Sequence, residues 1–156
     1  MGLYNKLMGV PVDRLVLREL PTVPPSTTVR ETVALMRSKR VGCVAVTDPD
    51  GRAKGRFTEH NLVTLLVKTP EALDQPVGDH MTGPWPSVRR CDTIAHLIDC
   101  METNKLRFVQ VVDDDGLPSA LAGQKGVVEF LAEQFPMVVK VQGMSSKMHL
   151  DQREGA

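Results

Sequence analysis

Between residues 54 and 61 the chain sets Lys54 and Arg56 beside Thr58, His60 and Asn61. The preceding CVAVTDPDGRAK reads as a short apolar strand and a turn, and NLVTLLV at 61–67 as an apolar helix. Thr58 then falls at the N-cap of that helix, with Glu59, His60 and Asn61 in its first turn. First-turn amides lack intrahelical partners and lie at the positive end of the helix dipole, so a phosphate suits that position. The Thr58 hydroxyl has two uses open to it. It can bond a phosphate oxygen, or cap its own helix, which is worth about 1 kcal/mol. Lys54, Arg56 and His60 are candidate phosphate partners, although each taken singly reads better as a solvated surface residue.

The elements that must position these residues occur twice. Sliding the sequence by 65 positions aligns 12–68 with 77–133 without a gap. The identical pairs fall at structural punctuation: Pro21/Pro86, Thr28/Thr93, Met36/Met101, Asp48/Asp113 and Gly51/Gly116 among them. Each copy opens on a Pro-x-Val segment too short for more than a small strand. Thr28-Val-Arg-Glu31 then reads as a capping box, and Val29, Val33 and Met36 recur at helical spacing, as do Ile94, Ile98 and Met101. The β-rich runs VGCVAV and FVQVV follow, with tight turns at DPDG and DDDG, a returning strand and a closing apolar helix. The order is β-α-β-β-α, twice. A unit of this size buries too little surface to stand alone, so the copies should pack on each other. The divisions are an N-terminal segment 1–11, a first copy 12–68, a linker 69–76, a second copy 77–135 and a tail 136–156.

Composition narrows the function. With 42% apolar and 24% charged residues the chain should bury a real core. Lys+Arg and Asp+Glu both number 19, so no basic surplus points to nucleic acid. No apolar run approaches the ~18–20 residues a membrane helix needs. The start MGLYNKLMGV reads as neither signal peptide nor myristoylation site, since Lys6 stands where Ser or Thr is wanted. Cys43, Cys91 and Cys100 form no CxxC and are odd in number, which argues against a disulfide framework. The expectation is a cytoplasmic protein.

The repeat with its motifs resembles a tandem pair of CBS (cystathionine-β-synthase) domains, a Bateman module. The resemblance rests on Val77-Gly-Asp-His-Met81 before Pro86-Ser-Val88, on the Thr and Met at 28/36 and 93/101, and on the strand-Asp-x-x-Gly turns. It rests most on Gly55-Arg-Phe57-Thr58-Glu-His-Asn61, which matches the pattern Gly-hydrophobic-x-Ser/Thr-x-x-Asn/Asp except that Arg56 stands at the hydrophobic position. The resemblance implies an α/β (α+β) fold of two repeats about a pseudo-two-fold axis, with two clefts that hold adenosine compounds: AMP, ADP, ATP or S-adenosylmethionine. It also implies a homodimer and a regulatory role toward a partner protein. Asn61 would face the ribose hydroxyls, neutral where aspartate would add charge. The adenine pocket is expected from the same copy, with Thr22, Val23 and Pro24 at the base edge and Val41 and Cys43 as apolar walls, although apolar strand residues are core by default.

The second copy places Gly123 opposite Thr58 and Gly126 opposite Asn61, so it lacks both polar groups. Lys125 remains there as a possible phosphate partner. One adenosine site per chain is therefore expected. A purely structural dimerisation or scaffold module is the alternative. Catalysis has little support: the four histidines lack metal-ligand spacing, and no P-loop, Gly-x-Ser-x-Gly or His-Glu-x-x-His occurs. Cys43 and Cys100 read as inert core thiols, and Cys91 stands beside Arg89 and Arg90. In the tail, MVVKV at 137–141 is a candidate strand for pairing with another chain.

Overall fold

A computed structural model describes residues 2–135, so MVVKV at 137–141 lies outside the described residues. The 65-residue offset governs the whole fold. Helix α1 (Leu3–Leu7) precedes the repeats. The first copy then runs β1 (Thr22–Val23), α2 (Val29–Lys39), β2 (Cys43–Thr47), β3 (Ala53–Thr58) and α3 (Glu59–Lys68). The second runs β4 (Ser87–Arg89), α4 (Ile94–Asn104), β5 (Phe108–Val112), β6 (Pro118–Gly123) and α5 (Gln124–Gln134). This is an α+β protein with two three-stranded sheets, ordered β1-β2-β3 and β4-β5-β6. In each sheet the first pair is parallel and the second antiparallel, with a register shift at Val46/Thr47 and again at Val111/Val112.

Local chemistry explains the matching boundaries. Thr28 caps α2 by accepting from the Glu31 amide at 3.1 Å, while Glu31 accepts from the Thr28 amide at 3.1 Å. Thr93 caps α4 by accepting from the His96 amide at 3.1 Å, without the reciprocal acid. Both helices stop on a left-handed residue, Arg40 at φ 54° and Lys105 at φ 53°. In the hairpin turns Asp48 Oδ1 accepts from the amides of Asp50 and Arg52, and Asp113 Oδ1 from those of Asp115 and Leu117. Gly51 and Gly116, at φ 84° and 80°, take the backbone region that side chains disfavour.

The two halves are interlocked, which the repeat alone did not reveal. The segment leading into each copy packs on the other copy. Val12 and Leu15 sit in the core of the second half with Val88, Ile94 and Val109. Their counterpart Val77 sits in the core of the first with Val29, Val44 and Phe57. The same segments extend the opposite sheets. Arg18 and Leu121 exchange two backbone bonds of 2.9 Å on the free edge of β6, and Thr82 and Arg56 exchange two of 2.8 Å on the free edge of β3. Between the sheets lies a third cluster of Leu20, Cys43, Ala45, Trp85 and Leu121. Leu20 and Trp85 are equivalent under the 65-residue offset, so the centre of the molecule is built by both leading segments.

Candidate nucleotide site

Strand alternation decides what reaches the space between the halves. Along β2, Val44 and Val46 enter the first core, whereas Cys43 and Ala45 enter the central cluster. The register pairs Cys43 with Thr58 and Ala45 with Arg56, so Thr58 and Arg56 share that inward face. Gly55 and Phe57 point the other way and are buried against the first core. Opposite stands the end of α4 and the start of β5. A cavity of about 420 Å³ opens between, lined by Gly42, Cys43, Arg56, Thr58, Glu59 and His60 from the first half. Lys105, Leu106, Arg107 and Phe108 close it from the second. That volume lies within the ~300–1,000 Å³ typical of small-molecule sites.

Thr58 and Asn61 form a reciprocal capping box. The Thr58 hydroxyl donates to Asn61 Oδ1 at 2.9 Å and accepts from the Asn61 amide at 3.2 Å, while the Thr58 amide donates to Asn61 Oδ1 at 2.9 Å. Asn61 Nδ2 donates to Thr82 Oγ1 at 2.9 Å, tying α3 to the segment that extends β3. The Glu59 amide donates to Gly42 O at 3.1 Å, so two first-turn amides already have partners. Asn61 does not line the cavity that Thr58 lines. It borders a neighbouring pocket of about 470 Å³ with His60, Lys68, His80 and Thr82.

Two electrostatic features mark the 420 Å³ cavity. Burial pushes the Cys43 thiol up to about 12, a shift that nearby Arg56 partly opposes, so at neutral pH Cys43 is a protonated wall and not a nucleophile. Burial likewise lowers the pKa of Arg56, with Cys43 opposing. The Arg56 guanidinium lies 5.9 Å from the centroid of the Trp85 ring. Among the described residues it has no carboxylate within 4 Å. It also borders a second space of about 430 Å³ with Pro84, Trp85, Pro86, Asn104 and Leu106.

The structure thus brings together Thr58, His60, Arg56 and Cys43 but separates the other candidates from them. Thr22, Val23 and Pro24 lie at the far edge of the sheet, because β2 intervenes between β1 and β3. Two strand spacings make that about 10 Å. Val23 is a core residue of the first half, and Val41, in the same core, also lines a cavity of about 430 Å³ that adjoins the 420 Å³ one. Where a same-copy adenine pocket was expected, the Pro-x-Val segment beside Arg56 is that of the second copy, at Pro86. Gly55 serves close approach: a Cβ there would stand 2.5 Å from Thr82 O. Lys125 is exposed and pairs with Glu129 at 3.8 Å, away from the cavity. Lys54 is exposed.

In the second half a cavity of about 540 Å³ is lined by Lys105, Leu106, Arg107 and Gln124, but the position equivalent to the Thr58 side chain is taken. Phe108 replaces Cys43 in register opposite Gly123, and a Cβ at Gly123 would meet the Phe108 ring at 3.2 Å. Gly126, opposite Asn61, faces Val16 O, 3.2 Å from its own notional Cβ. Sequence reasoning passed over Lys105, Leu106, Arg107, Phe108 and Trp85. The available signal was the offset, which makes Leu106 and Phe108 the counterparts of Val41 and Cys43. Among the described residues no group of three or more His, Cys, Asp or Glu is placed to hold a metal ion, and no helix is long and apolar enough to cross a membrane.

With this geometry in place, comparison with known proteins is informative. The family model for the CBS domain matches residues 12–68. Over 109 residues the chain is 24% identical to an uncharacterized 17.7 kDa protein of Acidianus ambivalens, a match covering 70% of this chain and 65% of that protein. The chain therefore spans just under two thirds of that relative's length. Its fold matches the Arabidopsis thaliana CBS-pair protein CBSX2 crystallised with AMP, at TM-score 0.67 and 26% identity over 80% of this chain and 98% of that one. It also matches the CBS domain pair of the protein MJ0100, crystallised with 5′-methylthioadenosine and S-adenosyl-L-methionine, at TM-score 0.71 and 14% identity. That match covers 80% of this chain and 98% of the other.

Proposed function

Since the chain is a tandem pair of CBS domains, we propose that it is a regulatory module that binds an adenosine-containing nucleotide and signals occupancy to a partner protein. The supporting observation is the 420 Å³ cavity walled by both halves, with Thr58 and His60 on one side and Lys105 and Arg107 on the other. A ligand in such a place contacts the two halves at once. It therefore stabilises one packing of them over any looser one, and the population shifts toward the closed arrangement. AMP, ADP, ATP and S-adenosylmethionine are the ligand classes to distinguish. CBSX2 was crystallised with AMP, which favours an adenine nucleotide. The role proposed is regulatory, with Cys43 a protonated part of the cavity wall.

A second reading, a dimerisation or scaffold module without a ligand, draws on a different observation. Helix α3 buries none of its residues, and Val63 and Val67 on it and Val128 on α5 are 62%, 80% and 61% exposed. Apolar side chains displayed on both closing helices suit a homodimer formed through them. The two readings are separated by thermal unfolding against AMP, ADP, ATP, S-adenosylmethionine and NAD. A ligand present at ~100 times its Kd adds about 2.7 kcal/mol, a rise of several degrees in Tm. No shift with any of them at millimolar concentration would leave only the scaffold reading.

A further inference from the structure

Charge is distributed very unevenly around the cavity. The chain as a whole is neutral, with 19 basic and 19 acidic residues. An adjoining cavity of about 430 Å³ shares Gly42, Glu59 and Phe108 with the 420 Å³ one. Together they are lined by Arg56, Lys105 and Arg107, and by Arg18, Arg37 and Arg40, against Glu59 as the one carboxylate. The four ion pairs among the described residues employ Arg30, Lys39, Arg90 and Lys125, none of these six. Arg18, Arg37, Arg40, Lys105 and Arg107 are exposed and Arg56 is half-buried, so five of the charges set a positive field at the cavity mouth while Arg56 stands in the less hydrated wall.

Arg56 is the most telling of the six. The CBS pattern has an apolar residue at its position, and an apolar residue would sit well against Cys43 and Trp85. Instead a half-buried guanidinium faces the cavity, stacked toward Trp85, where stacking holds it without neutralising it. Guanidinium donors in a fixed fork match phosphate oxygens, and each further phosphate on a ligand adds acceptors and negative charge. A sulfonium ligand would add positive charge to the same space.

We propose that the cavity selects its adenosine ligand by phosphate number, preferring nucleoside di- and triphosphates, and that Arg56 sets this preference. The proposal rests on the nucleotide reading above. Isothermal titration of the full chain with adenosine, AMP, ADP, ATP and S-adenosylmethionine at fixed ionic strength tests it. ADP and ATP should bind about tenfold or more tightly than AMP, with S-adenosylmethionine weakest, and ATP affinity should fall as salt rises. Arg56→Leu should cut ATP affinity about tenfold while barely moving adenosine, and Arg56→Lys should restore part of it. The main-chain bonds of Arg56 to Thr82 survive either change, and ligand-free thermal midpoints check folding. Should Arg56→Leu fail to fold, Lys105→Ala with Arg107→Ala on the opposite wall must lower the ATP-to-AMP ratio. AMP or S-adenosylmethionine binding as tightly as ATP, or a ratio unchanged by these variants, overturns the proposal alone. Failure of every compound to bind overturns the nucleotide reading with it.

Discussion

At the residue scale, the hydrogen-bond capacity of Thr58 limits what it can offer a ligand. A threonine hydroxyl has one proton and two lone pairs. Here the proton goes to Asn61 Oδ1 and one lone pair takes the Asn61 amide. What remains is an acceptor. Phosphate oxygens are acceptors too, so without rotating away from Asn61 the Thr58 hydroxyl suits a donor such as a ribose hydroxyl, and under the proposed nucleotide reading the phosphates would fall to Arg56, Lys105 and Arg107. Asn61 faces the other pocket, holding Thr82. Thr58→Val should therefore cost about 1 kcal/mol of stability as a lost cap and weaken the stabilising nucleotide several-fold. Asn61→Ala should cost about 1–2 kcal/mol, since Thr82 also loses a partner, yet change affinity less than Thr58→Val. Urea unfolding paired with titration calorimetry reads both. A larger affinity loss in Asn61→Ala than in Thr58→Val would mean that the ligand lies in the His80 pocket.

At the element scale, every helix and strand of the two copies was legible, because each is set by local chemistry that the 65-residue offset repeats. Thr28 with Glu31 starts a helix whatever surrounds it, and Asp48 with Gly51 makes a turn by itself. The crossing of the leading segments was not legible. Val12 and Val77 are equally apolar in sequence, and nothing local says that each belongs to the other half's core. The spacing of Thr22 and Pro24 from Thr58 was equally hidden, because strand order depends on pairings that periodicity does not encode. The asymmetry between the clefts was half visible: Gly123 could be read, but not that Phe108 fills the space it leaves. Cys43 with Thr58 and Phe108 with Gly123 are two solutions to one packing problem at equivalent register positions. Gly123→Thr alone should destabilise by about 1–3 kcal/mol through overpacking against the Phe108 ring. Combined with Phe108→Cys, which copies the first half, the pair should cost at least about 0.5 kcal/mol less than the two single changes added together. Additivity in urea unfolding would show that the ring and the glycine do not share that space.

At the scale of the whole molecule, the proposed function would depend on the halves moving, or holding still, as one. The cavity has a wall from each, so any looseness between them is felt by the ligand. Two features suppress that looseness. Val12 and Val77, fully buried in the opposite cores, each contribute about 1.5–3 kcal/mol that is lost if the leading segments let go. The second feature is the pairing of Thr82 with Arg56, which depends on two glycines. A Cβ at Gly55 would stand 2.5 Å from Thr82 O, and one at Gly83 would stand 2.6 Å from Lys54 O. Backbone meets backbone there, so no side-chain rotation relieves the clash. Gly55→Ala should therefore push the 81–85 segment off the edge of β3 and destabilise by about 2–3 kcal/mol. The damage should also reach the site, because Arg56 lies on the displaced edge and Trp85 on the displaced segment. Hydrogen exchange should show faster loss of protection at the Arg56 and Thr82 amides than at the Leu121 amide in the undisturbed counterpart pairing. Gly42→Ala provides the control: its nearest neighbour is the Glu59 carboxylate at 3.4 Å, a flexible group, so it should leave both exchange and stability within about 0.5 kcal/mol of the original. Equal exchange at the two edges in Gly55→Ala would mean that the sheets are held together by the central cluster alone, and that the strand pairing merely follows.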